Sequence, residues 1–505
     1  MIHIARAFML KFFLTIISLT IISVAVSPNT VCAEQSQELP QAAFGASPTV
    51  DLYDVFNAAL KNHERIKIAK ELYIQSDDET RVMRSEVLPE IMIDGNYTKY
   101  SGEKSGTEFL VQPEDSTRFE FRVTQPLYSG GKAWSALRQA RKSRKATELY
   151  GSAVSEEVLM LAATAFYNLL GSMQAESITA ASLRRSEEQL RVSKAHFNVG
   201  TTTRAEVLRS EAELSEKVAE LIQARLKKAN AEESLSRITG LPMPIVLPLS
   251  EMESSPGRIS GLPKGFIDKI SLKSVSVLQL EGTTIGGSDN ITGLVKESLI
   301  NRFDYKQALL EKEIATEGIR YAKGNFLPTL DIEGVHIIRD QTPRTTFFVD
   351  EVTYAGLNLT IPMFEGGLRR AELAQARSKA RASELQALSI RRDIELEVRH
   401  TSNRLLASAA VIEAEKKRLA FAEENYAMVF KQYKFGLADN TDLIDADTTL
   451  VSAALSVMRA TLLSELLTLE LMKSTGVLLL SVTEAQFPDF AVKGADNNKN
   501  LNGAE

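Results

Sequence analysis

The feature that most constrains this chain is a helix too long for a globular core, and it occurs twice. Gly131 and Gly200 are 69 positions apart, and so are Gly367 and Gly436. No proline falls between Lys132 and Leu241. The stretches are rich in Ala, Leu, Glu, Arg and Lys, which are strong helix formers. Apolar positions such as Val154, Val158, Leu161, Ala165 and Leu169 step by three or four, the helical period. At 1.5 Å per residue each stretch predicts a helix of about 100 Å, a length that calls for a coiled-coil-like arrangement. Each ends at a glycine suited to the left-handed conformation that stops a helix. The tips read Phe197-Asn198-Val199-Gly200, then Thr203 and Glu206, and Tyr433-Lys434-Phe435-Gly436, then Asn440, Thr441, Asp442 and Asp445. Asn440 and Thr441 are the expected N-caps of the returning helix.

The segments before the two long helices correspond as well. Leu88-Pro89 matches Leu327-Pro328, and Gly95 matches Gly334. Pro126 with Gly130-Gly131 matches Pro362 with Gly366-Gly367, Gly200 matches Gly436, and Thr239-Gly240 matches Thr475-Gly476. Shared register over so long a span indicates an internal duplication. Asp51 to Val87 is expected to be one helix. Strands are expected around Ile91, Ile93 and Tyr97; around Phe119, Phe121 and Val123; around Leu330 and Ile332; and around Leu357, Leu359 and Ile361. All four show a period of two. In the second strand Arg118, Glu120 and Arg122 form the opposite, charged face. Polar loops are expected over 102–116 and 340–344. The resulting division is 1–33 signal peptide, 34–50 extended segment, 51–242 first repeat, 243–290 connector, 291–481 second repeat and 482–505 tail.

The first 33 residues carry Arg6 and Lys11, an apolar run from Phe12 to Val26, and Val31-Cys32-Ala33, the pattern of a secretory signal. Cys32 is the one cysteine. It is either removed with the signal or lipidated, and no disulfide follows. The formal charge of -6 becomes more negative without the signal, which argues against nucleic acid as partner. No later stretch has eighteen consecutive apolar residues, so no transmembrane helix is expected.

Each half supplies two strands of about 9 to 11 residues, the length that crosses a bilayer as tilted β-structure. Four strands enclose no useful lumen, and lipid tolerates no open sheet edge. Three chains would give about twelve strands, within the range of closed barrels. The competing reading is a small soluble sheet capping a coiled coil. Pro126 and Pro362 cannot donate into a ladder and are expected where pairing ends. Gly130-Gly131 and Gly366-Gly367 are expected to bend strand into helix.

This duplicated strand-strand-helix pattern resembles the TolC family of outer-membrane efflux proteins. The resemblance lies in Phe-Asn-Val-Gly at 197–200, Tyr-x-Phe-Gly at 433–436, Thr-Asp-Leu-Ile-Asp-Ala-Asp-Thr-Thr-Leu at 441–450 and the two Pro-x-x-x-Gly-Gly junctions. It implies a membrane β-barrel plus a long α-helical coiled-coil barrel, homotrimeric, with four strands per chain in a twelve-stranded barrel. It implies outer-membrane lipid around the barrel, helices in the periplasm, and an equatorial belt that includes the connector. The function implied is a passive exit duct for efflux or type I secretion, coupled to an inner-membrane pump through a periplasmic adaptor. The alternatives are a coiled-coil scaffold without a pore and a stand-alone porin. The cargo and the class of pump stay open.

By the same resemblance Asp442 and Asp445 match the entrance aspartates, and Tyr433 and Glu206 match gate contacts. Ala438 stands where the family has an arginine of the latch, with Arg204 a candidate substitute. On their own chemistry, Tyr433 and Glu206 read equally as rim residues, and the aspartates as helix N-terminal charges. No enzyme activity, cofactor or metal is expected. Gly130-Gly131-Lys132 lacks the other residues of a phosphate loop, and His63, His196, His336 and His400 lack ligand spacing. Trp134 reads either as an interfacial anchor or as a packed residue.

Overall fold

The computed structural model describes residues 50–101, 104–105, 110–245, 288–342, 344 and 348–483. The expected signal, the extended segment up to residue 49, residues 246–287 of the connector and the tail from residue 484 lie outside the described residues.

The stretch from Asp51 to Val87 forms α1 (Leu52–Asn62) and α2 (Glu64–Ser85), not one helix. The break is at His63, whose backbone is extended and whose Nδ1 accepts from Arg65 N–H at 3.2 Å, capping α2. Strand β1 (Glu90–Lys99) follows. The stretch expected as a loop contains β2 (Lys104–Ser105) and β3 (Leu110–Gln112), which pair with each other. Strand β4 (Asp115–Ser129) then leads into α3 (Lys132–Val199) and α4 (Arg204–Thr239). The order recurs with α5 (Ser288–Asn301), α6 (Phe303–Gly324), β5 (Thr329–Thr342), β6 (Glu351–Thr360), α7 (Leu368–Lys434) and α8 (Asn440–Ser474), closed by α9 (Leu478–Thr483). Helix α5 begins at Ser288, inside the stretch assigned to the connector. The tip glycines behave as expected: Gly200 has φ +84° and Gly436 has φ +72°.

The sheet order is β1-β4-β5-β6, all antiparallel, so the two halves meet at β4 and β5. The outer strands have 10 residues each, but β4 has 15 and β5 has 14. Strand β5 runs to Thr342, through part of the loop expected at 340–344. Pairing also continues past Pro126, contrary to expectation. Pro126 lies opposite Asp331, the register shifts at the next residue, and the ladder resumes with Tyr128 opposite Leu330. A bulge absorbs the missing donor, and β1 begins only opposite Thr124, so it does not pair with Pro126. Pro362 does fall beyond the end of its strand.

The sheet has two unlike faces. On one, Ile91, Ile93, Tyr97, Phe119, Ile332, Ile338 and Leu357 are exposed apolar side chains. On the other, Glu120 is buried between Arg118 and Arg122, and Arg122 also reaches Glu333 at 3.2 Å. This is the alternation expected around Phe119, Phe121 and Val123.

The main core lies where α1, α3, α4, α8 and α9 meet, around Leu52, Phe56, Val158, Leu159, Leu169, Leu235, Leu469 and Leu478. Eighteen-residue windows in α3 and α8 reach mean hydropathies of 1.3 and 1.5, enough by length and composition to cross a membrane. Counting consecutive apolar residues passed over both. Half of the α3 window is buried within the chain, as in a core helix.

Candidate functional site

The site is built where the two helical hairpins end. Helix α8 starts one residue earlier than expected. Its N-cap is Asp439, not Asn440 or Thr441. Asp439 Oδ1 accepts from Asp442 N–H at 2.9 Å, and Asp442 Oδ2 accepts from Asp439 N–H at 3.1 Å. This reciprocal capping satisfies two helix-end donors and gives Asp442 a structural task. Asp442 and Asp445 both remain exposed.

The buried face of the same helix carries Asn440, Leu443, Ala446 and Asp447. Asn440 Oδ1 accepts from Gln189 Nε2 at 2.5 Å and from Ser210 Oγ at 3.3 Å. Asp447 Oδ2 accepts from Ser182 Oγ at 2.7 Å, and its Oδ1 pairs with Arg185 Nε. The Arg185 guanidinium also sits 5.4 Å from the centre of the Tyr426 ring, within cation–π range. Burial, with Asp447 adding, raises the Tyr426 phenol to about 12. Arg209 donates to Thr441 Oγ1 at 2.8 Å. A polar seam therefore joins α8 and α7 of the second hairpin to α3 and α4 of the first. The sequence reading missed it. Its one visible sign was polar Asn440 and Asp447 seven residues apart, which puts them on one helical face.

Tyr433 is buried against Val192 and Leu443, with Ala438 packed beside them. Its ring stacks on His196, with centroids 6.0 Å apart. Burial raises its phenol, with the Glu206 charge adding and Ser193 and Ser210 opposing. Ser193 Oγ falls short of hydrogen-bond geometry, and it and Glu206 Oε2 are buried without a partner among the described residues. The Glu206 charge thus acts on the Tyr433 phenol without a hydrogen bond between them among the described residues. Arg204 is exposed and makes no ion pair with Glu206 among the described residues, so within one chain it does not replace the arginine absent at 438. Val199, Phe435 and Leu437 are exposed at the tips.

The strand-to-helix junctions form the other end of this machinery. Gly130, Gly131, Gly366 and Gly367 all have left-handed φ, from +61° to +89°. Trp134, just after the first junction, is 59% exposed.

A four-stranded sheet with one exposed apolar face is thus continued by helices of about 100 Å. The chain belongs to the outer membrane efflux protein family, matched over residues 55–241 and 294–477. It is similar to outer membrane protein TolC of Escherichia coli (strain K12), 24% identical over 381 residues, 73% of this chain and 71% of that protein. It is also similar to the alkaline protease secretion protein AprF of Pseudomonas aeruginosa, 21% identical over 417 residues, 81% of each chain. The solved structure of CusC has the same fold, with a TM-score of 0.69 at 14% identity, covering 86% of this chain and 95% of that one. The protein is accordingly an outer-membrane channel protein that extends into the periplasm.

Proposed function

We propose that the protein is a passive exit duct, a homotrimer whose duplicated chains each give four strands to a twelve-stranded barrel. It is coupled to an inner-membrane pump through a periplasmic adaptor. The observation that carries this is the sheet: an exposed apolar face and two edge strands, β1 and β6, whose outer sides have no partner strand among the described residues. Lipid forbids open edges, so neighbouring chains must close them. A purified sample should run as a heat-modifiable trimer and conduct in planar bilayers. A monomer without conductance would leave the scaffold reading instead.

In that barrel Phe119, Phe121 and Val123 face lipid. Phe121→Arg should cost about 2 to 4 kcal/mol of barrel stability near mid-membrane, read as a lower temperature of trimer dissociation. Normal stability in Phe121→Arg would put the register one residue out.

At the other end, Asp442 and Asp445 converge by threefold symmetry as two acidic rings, with Tyr433 and Glu206 as gate contacts beside them. Rings of carboxylates favour cations. The variant Asp442→Asn, Asp445→Asn should keep its trimer and lose both cation selectivity and block by multivalent cations. Reversal potentials equal to wild type would reduce the pair to helix-end chemistry. Because Asp442 also caps α8, Asp445→Asn alone separates the two roles.

A further inference from the structure

Helix α8 presents opposite faces to opposite tasks. Each residue turns the helix by about 100°, so Asn440, Leu443, Ala446 and Asp447 fall on one side. All four are buried. Asp445 falls across the helix from them, with Asp442 at the margin, and both are exposed. The buried side is held by polar contacts rather than by apolar packing alone. Near the start of the helix Asn440 binds Gln189 and Ser210, and two turns later Asp447 binds Ser182 and Arg185. Two attachment points along one helix fix its rotation as well as its position. Leucines at these sites would bury apolar area without choosing between neighbouring rotations, whereas hydrogen bonds are directional.

We infer that Asn440 and Asp447, with Arg185 and Gln189 of α3 as their anchors, are positioning residues for the pore entrance. Their seam sets the rotation of the first turns of α8 and so aims Asp442 and Asp445 away from the first hairpin. The inference rests on the proposed entrance role of those two carboxylates. A buried carboxylate that keeps its ion pair and hydroxyl partner stays put. One that loses its cation must find another partner or shift. Asn440 carries a sign of this dependence, since its Nδ2 is buried without a partner among the described residues and only the Oδ1 contacts hold it. The exposed Asp445 carboxylate, by contrast, is free to follow whatever rotation the seam imposes.

The test uses full-length trimer in planar bilayers under a salt gradient. Four proteins are compared: wild type, Asp447→Asn, Arg185→Gln and the exchanged pair Arg185→Asp, Asp447→Arg. The Asp442→Asn, Asp445→Asn variant serves as reference. Trimer integrity is checked by heat-modifiable migration. Both single variants should keep the trimer while the cation-to-anion permeability ratio falls at least twofold toward the reference, although Asp442 and Asp445 are intact. The exchanged pair should recover at least half of the loss, which a general loosening would not do. Wild-type selectivity in both single variants, with the reference altered, overturns the positioning role and leaves the entrance role standing. Selectivity lost in the single variants and not recovered by the exchange also overturns it. An unaltered reference overturns both readings together.

Discussion

Gly130→Ala should block assembly of the folded channel, while Gly366→Ala at the corresponding junction should lower its unfolding temperature by only a few degrees. Both glycines have left-handed φ, +65° and +61°, which costs any other L-residue about 1 to 2 kcal/mol. The surroundings differ. A Cβ on Gly130 would lie 2.4 Å from the Gly324 carbonyl oxygen and 3.1 Å from Leu327 Cβ, whereas one on Gly366 would meet nothing within 4 Å. The backbones of Gly130 and Gly324 need each other's bareness: a Cβ on Gly324 would lie 2.7 Å from the Gly130 oxygen. Neither segment can step back. Ser129 is paired with Thr329 in the sheet, α3 begins at Lys132, and α6 ends at Gly324. Strain and overlap together put Gly130→Ala above about 4 kcal/mol, in the exceptional tail of single substitutions. The yield of heat-modifiable trimer for the two variants checks this. Equal yields would mean that the junction has room the geometry denies it.

The second large effect is one of pH. Glu156 is buried in the main core, accepting a 3.5 Å hydrogen bond from Leu479 N–H. Burial raises its carboxyl from 4.5 to about 7, with the Leu479 hydrogen bond, Arg302 and Lys473 opposing and Asp304 adding. Lys306, half-buried nearby, is lowered by its own burial and held up by the Glu156 charge. A folded-state value above the unfolded one means that folding favours the proton. The contribution is fully present below about pH 4.5 and is lost as pH rises through about 7. That shift is worth about 3 kcal/mol at 1.36 kcal/mol per unit. Glu465 on α8, also raised to about 7 by burial, acts in the same window with a smaller share because its surface is partly exposed. Glu156→Gln should therefore raise stability at pH 8, leave it unchanged at pH 4, and flatten the profile further when combined with Glu465→Gln. Unfolding temperatures in detergent across pH 4 to 8 measure this. A Glu156→Gln profile parallel to wild type would show that Glu156 is solvated in the assembled channel.

Some elements were legible in the sequence because one residue type has one physical use. A glycine at the end of a long helical pattern marks a left-handed stop, and Gly200, Gly240, Gly436 and Gly476 all fill that role. The charged and apolar faces of β4 followed from a period of two. Other features were hidden because two residues competed for one task. Asp439 and Asn440 are both good caps. The reciprocal bond with Asp442 favours Asp439, and Asn440 is then buried against Gln189, 251 positions away. His63 was invisible as a helix break because its imidazole acts as a cap, an uncommon choice. Pro126 misled because a bulge let pairing resume beyond it. The partner of Arg122 in the next strand, Glu333, is 211 positions distant, and no local pattern names it.

The join between β4 and β5 carries a consequence for the order in which the chain can be made. Strand β4 finds β1 within the preceding few dozen residues, but its other neighbour does not exist until the chain has been extended beyond Thr342. By then α3 and α4 have been synthesised, and their contacts with each other are local by comparison. Local contacts form fast, and distant pairing waits on loop closure. Folding during export should therefore begin with the β1–β4 pair and the first helical hairpin and complete the sheet last, when β5 joins β4. In that interval β1 and β4 present an apolar face and an open edge to the periplasm, a template for aggregation. The nascent chain thus has a period of need for a holdase that ends when β5 arrives.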